Sequence, residues 1–226
     1  APIEKHLPTG RGSELLRDLM LRSREVLARH PVNERRAARG EVPANMIWLF
    51  WGSGRIPSMP SFREVYGLQA GLSSGVDLLL GLAKMADIEV LAIPGVTGDI
   101  HNDYSAQMKG AMQALLSRDL VVAHVEAPDE AGHDGSIEDK VAAIERIDEL
   151  MLPALRAMGP ERVRVLIAPD HPTPIEVQTH VGEPVPFLLW GADIRPNGAA
   201  RFTETEAARL GLAIDDGADL MAKFVS

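Results

Sequence analysis

The chain has 226 residues, a formal net charge of −9 and no cysteine. This charge argues against a basic nucleic-acid face, and the lack of thiolates leaves carboxylate and imidazole as the ligands for any metal. Since no apolar run approaches the ~18 residues of a membrane span, we expect a cytoplasmic protein with no nucleic-acid or membrane partner.

Helical and strand patterns alternate along the chain. Apolar residues recur at helical spacing up to about residue 30, with Ser13 as the expected N-cap. A polar loop follows, and a short apolar run at 46–51 predicts a buried strand. Further apolar runs predict strands at 88–93, 120–125, 163–168 and 185–190. The remaining patterns predict helices at 75–85, 104–117, 136–158, 205–210 and 217–224.

The longest predicted helix, at 136–158, is amphipathic. Its start, Ser136-x-x-Asp139, is close to a capping box. One apolar face is predicted from the helical spacing of Ile137, Val141, Ile144, Ile147 and Leu150 or Met151.

Continuous apolar strands that alternate with helices are typical of an α/β fold with a largely parallel sheet. We expect residues 1–44 to form an N-terminal helix and a connector. Residues 45–226 are expected to form the α/β core that binds metal.

Three polar loops follow predicted strands, where the sites of such folds lie. They carry Asp99, His101 and Asp103, then Asp129 and His133, then Asp170 and His171. The second and third loops make the stronger case.

Each of these groups also has an ordinary structural explanation. An Asp-x-x-x-His pair is common on solvated loops, Asp170 could bond the backbone of its own turn, and His180 could be a satisfied core histidine. The combination favours metal, because hard divalent ions take carboxylate oxygen and imidazole suits Mn, Zn, Co or Fe. Two ions about 3.5–4 Å apart, which clamp oxygens in phosphoryl transfer, would need this many ligands.

Motifs along nearly the whole chain resemble one family, the cofactor-independent phosphoglycerate mutases of the archaeal type, within the alkaline phosphatase superfamily. The motifs are LPTGRGSELL, HPVNERR, PANMIWLFWGSG, VDLLLGLAK, IPGVTG, AHVEAPDEAGHDG, KVAAIERID, APDHPTP and THVGEPVPF. The resemblance implies a three-layer α/β/α, alkaline-phosphatase-like core with its N-terminal part missing. It also implies two divalent metal ions, which could be Mn, Zn, Co or Mg.

The resemblance further implies a ligand set. One metal would be held by Asp129, His133 and His180, and the second by Asp170 and His171. In the family, the second metal also takes an N-terminal aspartate and the nucleophilic serine, which accepts the phosphoryl group and returns it to the other hydroxyl. Neither segment has a counterpart here, so we expect a C-terminal fragment that is inactive alone.

A substrate phosphate needs arginine or lysine. The resemblance places Asn33 and Arg36 among the substrate-binding residues, with an arginine on a solvated loop as the alternative. Lys84 and Arg55 are weaker candidates.

Other polar residues are expected to be structural. His124 should be buried or lie behind the ligands, and Glu126 either orients a ligand histidine or is a hydrogen-bonded carboxylate at a strand end. The serines expected in caps, turns or the core are Ser53, Ser58, Ser73 and Ser74.

The implied activity is a metal-dependent isomerase that interconverts 2-phosphoglycerate and 3-phosphoglycerate through a phosphoserine. Two alternatives stay open: another phosphatase or phosphotransferase of the superfamily, or an inactive metal-binding fragment. The expected partner is a small phosphorylated substrate, and a homo-oligomer is left open.

Overall fold

The computed structural model describes residues 3–50, 52, 54 and 58–226. The chain divides into two compact units, Ala1–Pro57 and Ser58–Ser226. The predicted boundary between residues 44 and 45 lies inside the first unit, and the functional division drawn there stays a prediction.

The first unit is helical. After a 3₁₀ turn at Ile3–His6, it contains α1 (Ser13–Ala28) and α2 (Pro31–Ala38). Gly12, at φ 84°, precedes α1 as its N-cap, so the prediction that Ser13 has this role is wrong. The second helix lies in the predicted loop, and its start combines a proline in the first turn with the His30 side chain, which accepts the Val32 N–H at 3.2 Å.

The strand predicted at 46–51 is absent from residues 46–50, and Trp51 lies outside the described residues. The backbone N–H of Ile47 donates to the Ser23 hydroxyl at 3.0 Å rather than to a strand. Trp48 stacks on Phe50, with ring centroids 4.5 Å apart. The apolar run therefore packs through its side chains without forming a ladder.

The second unit is built on a three-stranded parallel sheet in the order β2-β1-β3. The strands are β1 (Ala70–Ser73), β2 (Glu89–Val90) and β3 (Leu120–Ala123). Ala70 pairs with Leu120, and Ser73 pairs with Ala123. The central strand was not predicted, because AGLS is short and rich in small residues, yet all four of its residues are buried. The α/β class with a parallel sheet is confirmed.

Helices connect and follow these strands. They are α3 (Phe62–Tyr66), α4 (Asp77–Met85), α5 (Tyr104–Ala114), α6 (Ala127–His133), α7 (Ile137–Arg146), α8 (Leu152–Met158), α9 (Glu204–Leu210) and α10 (Ala218–Val225). A π-helical turn at Ile147–Met151 joins α7 to α8. It precedes Pro153, which has no N–H to donate and whose ring would clash with the carbonyl four residues earlier in a regular helix.

The predicted apolar face of the long helix is buried only towards its C-terminal end, where Met151 is buried and Ile147 packs against the core. Ile137, Val141 and Ile144 are exposed by 65%, 49% and 52%. The buried side carries Ala143 and Met151, which join the core formed with α5. The buried residue of α7 is thus a small one, Ala143. The predicted N-cap is confirmed, since the Ser136 hydroxyl accepts the Asp139 N–H at 3.2 Å.

A second, two-stranded sheet pairs β4 (Val165–Ile167) antiparallel with β5 (Leu188–Trp190). The loop after β4 therefore follows a different sheet from the loop after β3, although a single, largely parallel sheet was predicted. The chain after β4 doubles back, so that β5 pairs with it from the opposite direction. Among the described residues, no helix is long and apolar enough to cross a membrane.

Candidate metal centre

The segment after β3, predicted as a loop, forms the short helix α6 and carries the first two predicted ligands. Pro128 lies in the first turn, where its missing N–H costs nothing. Because Asp129 and His133 are four residues apart, they share one face of this helix. The His133 Nε2 atom lies 3.2 Å from Asp129 Oδ2.

His180 joins this pair from a loop far along the chain. Its Nε2 atom lies 3.0 Å from His133 Nε2 and 3.5 Å from Asp129 Oδ1. The other ring nitrogen of His133, Nδ1, lies 3.0 Å from the carbonyl oxygen of Gln178. Since a carbonyl only accepts, Nδ1 of His133 carries the hydrogen, and Nε2 of the neutral ring turns a lone pair towards His180 and Asp129.

Asp170 and His171 follow β4 and reach the same place. His171 Nε2 lies 3.6 Å from Asp170 Oδ2, and His171 Nδ1 lies 3.8 Å from Asp129 Oδ1. The His171 ring also faces the His180 ring, with centroids 3.6 Å apart. All five residues predicted as ligands thus form one cluster with Asp129 at its centre, and their role as ligands stays a prediction.

A subset of this cluster can converge on a single point. Ligand atoms of Asp129, His171 and His180 all lie within 4.8 Å of one another. A second acidic group, in which Glu126 and Glu130 join Asp129, meets the same distance criterion. Imidazole nitrogen and carboxylate oxygen together suit borderline divalent ions.

His124 and Glu126 lie beside the cluster, at the end of β3. His124 Nδ1 is 2.9 Å from the Ser74 hydroxyl, and His124 Nε2 is 3.2 Å from Glu126 Oε2. Burial lowers the pKa of His124, and the smaller opposite effect of the Asp170 and Asp129 charges, which raise it, does not cancel this. Burial first, and then the carboxylates of Asp129 and Glu130, raise the pKa of Glu126. The ring that Glu126 contacts is that of His124, which is not one of the predicted ligands.

The loop that carries Asp99, His101 and Asp103 has local structural roles. Asp99 accepts from the Thr97 hydroxyl at 2.8 Å and from the His101 N–H at 2.9 Å, and these hydrogen bonds lower its pKa. Asp103 caps α5 by accepting the Ala106 N–H at 2.9 Å. In both residues, a carboxylate oxygen thus accepts a hydrogen bond from a backbone N–H of its own loop or helix.

The residues predicted to bind substrate lie in the first unit. The side-chain amide of Asn33 is fully used by backbone groups. Its nitrogen donates to the Leu27 and Ala44 carbonyls at 2.8 and 2.7 Å, and its oxygen accepts the Ala44 N–H at 3.0 Å. Arg36 donates to the Val42 carbonyl at 3.0 Å, and its guanidinium stays partly exposed. Both substrate-binding roles stay predictions.

The weaker candidates gain little from the structure. Lys84 is exposed in the last turn of α4. Arg55 and Ser53 lie outside the described residues. Ser73 and Ser74 are buried, as expected for structural serines, and the Ser74 hydroxyl accepts the Val76 N–H at 3.0 Å.

Sequence reasoning missed one contributor to the cluster. Thr173 is buried, and its hydroxyl contacts both Asp129 and His171. Its position inside APDHPTP, two residues after His171, was the available signal.

The comparison with known families shows the class of protein to which this fold belongs. The model of the metalloenzyme superfamily matches residues 23–222, so the chain belongs to that superfamily. It is 46% identical, over its whole length, to the 2,3-bisphosphoglycerate-independent phosphoglycerate mutase of Methanothrix thermoacetophila, and covers 58% of that relative. It is 44% identical to the probable enzyme of the same name from Geobacter sulfurreducens, with 97% of this chain and 55% of the relative covered.

Solved structures show the same fold. The PH0037 protein from Pyrococcus horikoshii is 35% identical, with a TM-score of 0.75 over 87% of this chain and 52% of that one. A cofactor-independent phosphoglycerate mutase from Thermoplasma acidophilum is 22% identical, with a TM-score of 0.58 over 95% of this chain and 52% of that one, and shares the fold. The resemblance recognised from the motifs is confirmed, and the chain spans little more than half the length of these relatives.

Proposed function

We propose that this chain is the metal-binding part of a phosphoglycerate mutase that interconverts 2-phosphoglycerate and 3-phosphoglycerate through a phosphoserine. The observation that carries the proposal is the convergence of Asp129, His133, His171 and His180 from three separate segments. The names of the similar proteins support the reaction. Since the chain covers 58% and 55% of those relatives, the reaction is proposed for a protein of their full length.

The donor set fits a divalent ion. The Nε2 atoms of His133 and His180 lie 3.0 Å apart, and each lies 3.2–3.5 Å from a different oxygen of the Asp129 carboxylate. Ligands of a tetrahedral ion with bonds of about 2.1 Å would lie roughly 3.4 Å apart. Lone pairs and negative charge this close repel one another unless a cation balances them. We assign Asp129, His133 and His180 to one ion and Asp170 and His171 to a second, and Mn, Zn, Co and Mg all suit these ligands.

Bound divalent ions would neutralise charge on a transferring phosphoryl group and lower the pKa of the attacking serine hydroxyl. The part played by this chain is to hold the donor atoms in place. The Gln178 carbonyl fixes the ring of His133, and Asp129 turns Oδ2 to His133 and Oδ1 to His171 and His180. We assign the nucleophile to no residue of this chain.

A phosphorylated substrate also needs positive charge from the protein. We assign this role to Arg36, whose side chain is 42% exposed. Its guanidinium lies 3.3 Å from Glu41, a carboxylate that Arg39 also pairs, and its remaining N–H donors could contact an anion. Asn33 would act on the substrate indirectly, through the loop at Ala44 that its amide holds. A cytoplasmic location and a homo-oligomer remain predictions.

Calorimetric titration of this chain with Mn²⁺ tests the metal centre. His133→Ala and His180→Ala should each weaken binding at least about tenfold, since even partners behind the ligands contribute that much. His101→Ala is the matched control, because this histidine is exposed on the loop between Asp99 and Asp103, and should bind as the wild type does. Equal binding by all four proteins would rule out the centre.

The reaction is tested on a full-length protein that contains this segment. Phosphoglycerates and generic phosphomonoesters are supplied in parallel, and we expect interconversion of the two phosphoglycerates. Fast ester hydrolysis without mutase turnover would favour the phosphatase alternative.

A further inference from the structure

Thr173 touches two of the predicted ligands without belonging to the ligand set. It is 4% exposed, and its hydroxyl donates to Asp129 Oδ1 and lies 3.3 Å from His171 Nδ1. A buried hydroxyl placed between a carboxylate and an imidazole limits which ring nitrogen of the imidazole can carry the hydrogen.

The hydrogens can be counted. A hydroxyl has one hydrogen, and an ionised carboxylate only accepts. Because Thr173 gives its hydrogen to Asp129, its oxygen can only accept from His171. The hydrogen of the neutral His171 ring is then on Nδ1, and the lone pair is on Nε2, the atom 3.6 Å from Asp170 Oδ2.

We propose that Thr173 is a positioning residue that selects Nε2 of His171 as the metal-binding atom and holds the Asp129 carboxylate between the two halves of the centre. This deepens the proposed function and rests on it. The alternative tautomer would place a hydrogen on Nε2, so that this nitrogen could no longer bind the second ion.

The surrounding helices hold Thr173 in place. Its backbone carbonyl accepts from Lys140 Nζ at 2.7 Å, which ties it to α7. Against α6 the fit is close, because a Cβ added to Gly132 would lie 2.5 Å from the Thr173 carbonyl oxygen and 2.9 Å from its Cγ2. The hydroxyl therefore has little freedom to move away from Asp129 and His171.

Two substitutions separate the hydroxyl from the side-chain volume. Thr173→Val keeps the shape and removes the hydroxyl, whereas Thr173→Ser keeps the hydroxyl. We expect Thr173→Val to weaken Mn²⁺ binding by about 10- to 100-fold, the usual effect of losing a group that orients a ligand. Thr173→Ser should stay within about threefold of the wild type. Equal binding by Thr173→Val and the wild type, or equal losses in the two variants, would overturn the proposal.

A direct measurement needs no metal and no folded valine variant. Nitrogen-15 NMR of histidine in the metal-free wild-type chain reports which ring nitrogen carries the hydrogen, and His171→Gln identifies the His171 signals. We expect the hydrogen on Nδ1 of His171, and finding it on Nε2 would overturn the proposal. If the chain binds no Mn²⁺ yet His171 has its hydrogen on Nδ1, the metal centre fails while the contact with Thr173 stands.

Discussion

Gln107 links the carboxyl ends of β1 and β3, and its replacement should destabilise the second unit strongly. The side chain is fully buried. Its amide nitrogen donates to the His124 carbonyl at 2.8 Å and to the Ser73 hydroxyl at 3.2 Å, and its oxygen accepts from the Asn102 amide at 2.9 Å. All three hydrogen bonds are lost in Gln107→Met, which keeps the length of the side chain and the helix propensity of α5.

The magnitude follows from the groups left without a partner. The Ser73 hydroxyl oxygen loses only a donor, whereas the Asn102 amide N–H loses its acceptor and the His124 carbonyl loses its donor. At about 1–3 kcal/mol for each of these two buried groups, we expect the free energy of unfolding to fall by about 2–6 kcal/mol. That is a large share of the ~5–15 kcal/mol typical of a folded domain.

Urea unfolding followed by circular dichroism measures this loss. Gln113→Met is the matched control, because Gln113 lies on the same helix but is exposed, and it should change the free energy by less than about 0.5 kcal/mol. If Gln107→Met lies within about 1 kcal/mol of the wild type at an unchanged denaturant slope, the reasoning about the buried network is wrong.

Three further predictions concern other parts of the second unit. Gly75→Ala should lower its stability by about 3 kcal/mol, because the new Cβ would lie 2.2 Å from the Thr97 backbone carbon. Gly81→Ala, in open space on α4, should raise stability by about 0.5–1 kcal/mol; urea unfolding of both variants checks this pair, and equal effects would contradict it. Hydrogen bonds from Arg209 and from a backbone N–H lower the pKa of Glu206 from 4.5 to about 2. The contribution of Glu206 to stability is therefore present above pH 4.5 and lost as the pH falls towards 2. Glu206→Gln should make the melting temperature depend less on pH across that range, and the same pH dependence as in the wild type would contradict the prediction. Mn²⁺ at a hundred times its dissociation constant should stabilise the chain by about 2.7 kcal/mol, and an unchanged melting temperature would count against the metal centre.

Helices with a clear apolar period were predictable. The ranges predicted for α4, α5, α9 and α10 agree with the structure to within a few residues. The signal for α6 was weak, because seven residues span barely two turns and include Pro128 and a glycine. Helix α2 was missed because its residues are mostly polar and its start depends on Pro31 and His30.

The central strand shows why short buried segments escape prediction. β1 has neither alternation nor a run of large apolar residues, and its burial results from β2 and β3 on either side. Ladder hydrogen bonds and neighbouring strands are tertiary facts that no local pattern contains. The exposed face at Ile137, Val141 and Ile144 shows the reverse case: the period was recognised correctly, but Ala143 is the residue of α7 that joins the core.

The sequence alone determined the chemical types at the candidate centre. With no cysteine, a metal must use oxygen and imidazole, and the motifs name Asp129, His133, Asp170, His171 and His180. The i, i+4 spacing on α6 already predicts that the first two share a face. These are local properties, which depend on residue type and separation along the chain.

Tertiary structure decided which atoms meet. The 3.0 Å approach of His133 to His180 joins residues 47 positions apart in the chain, and nothing near either residue predicts it. The contact of the Thr173 hydroxyl with both Asp129 and His171 likewise arises because α6, α7 and the loop after β4 pack together. Residue type limits what a side chain can donate or accept, whereas packing decides which partner it finds and hence which ring nitrogen carries the hydrogen.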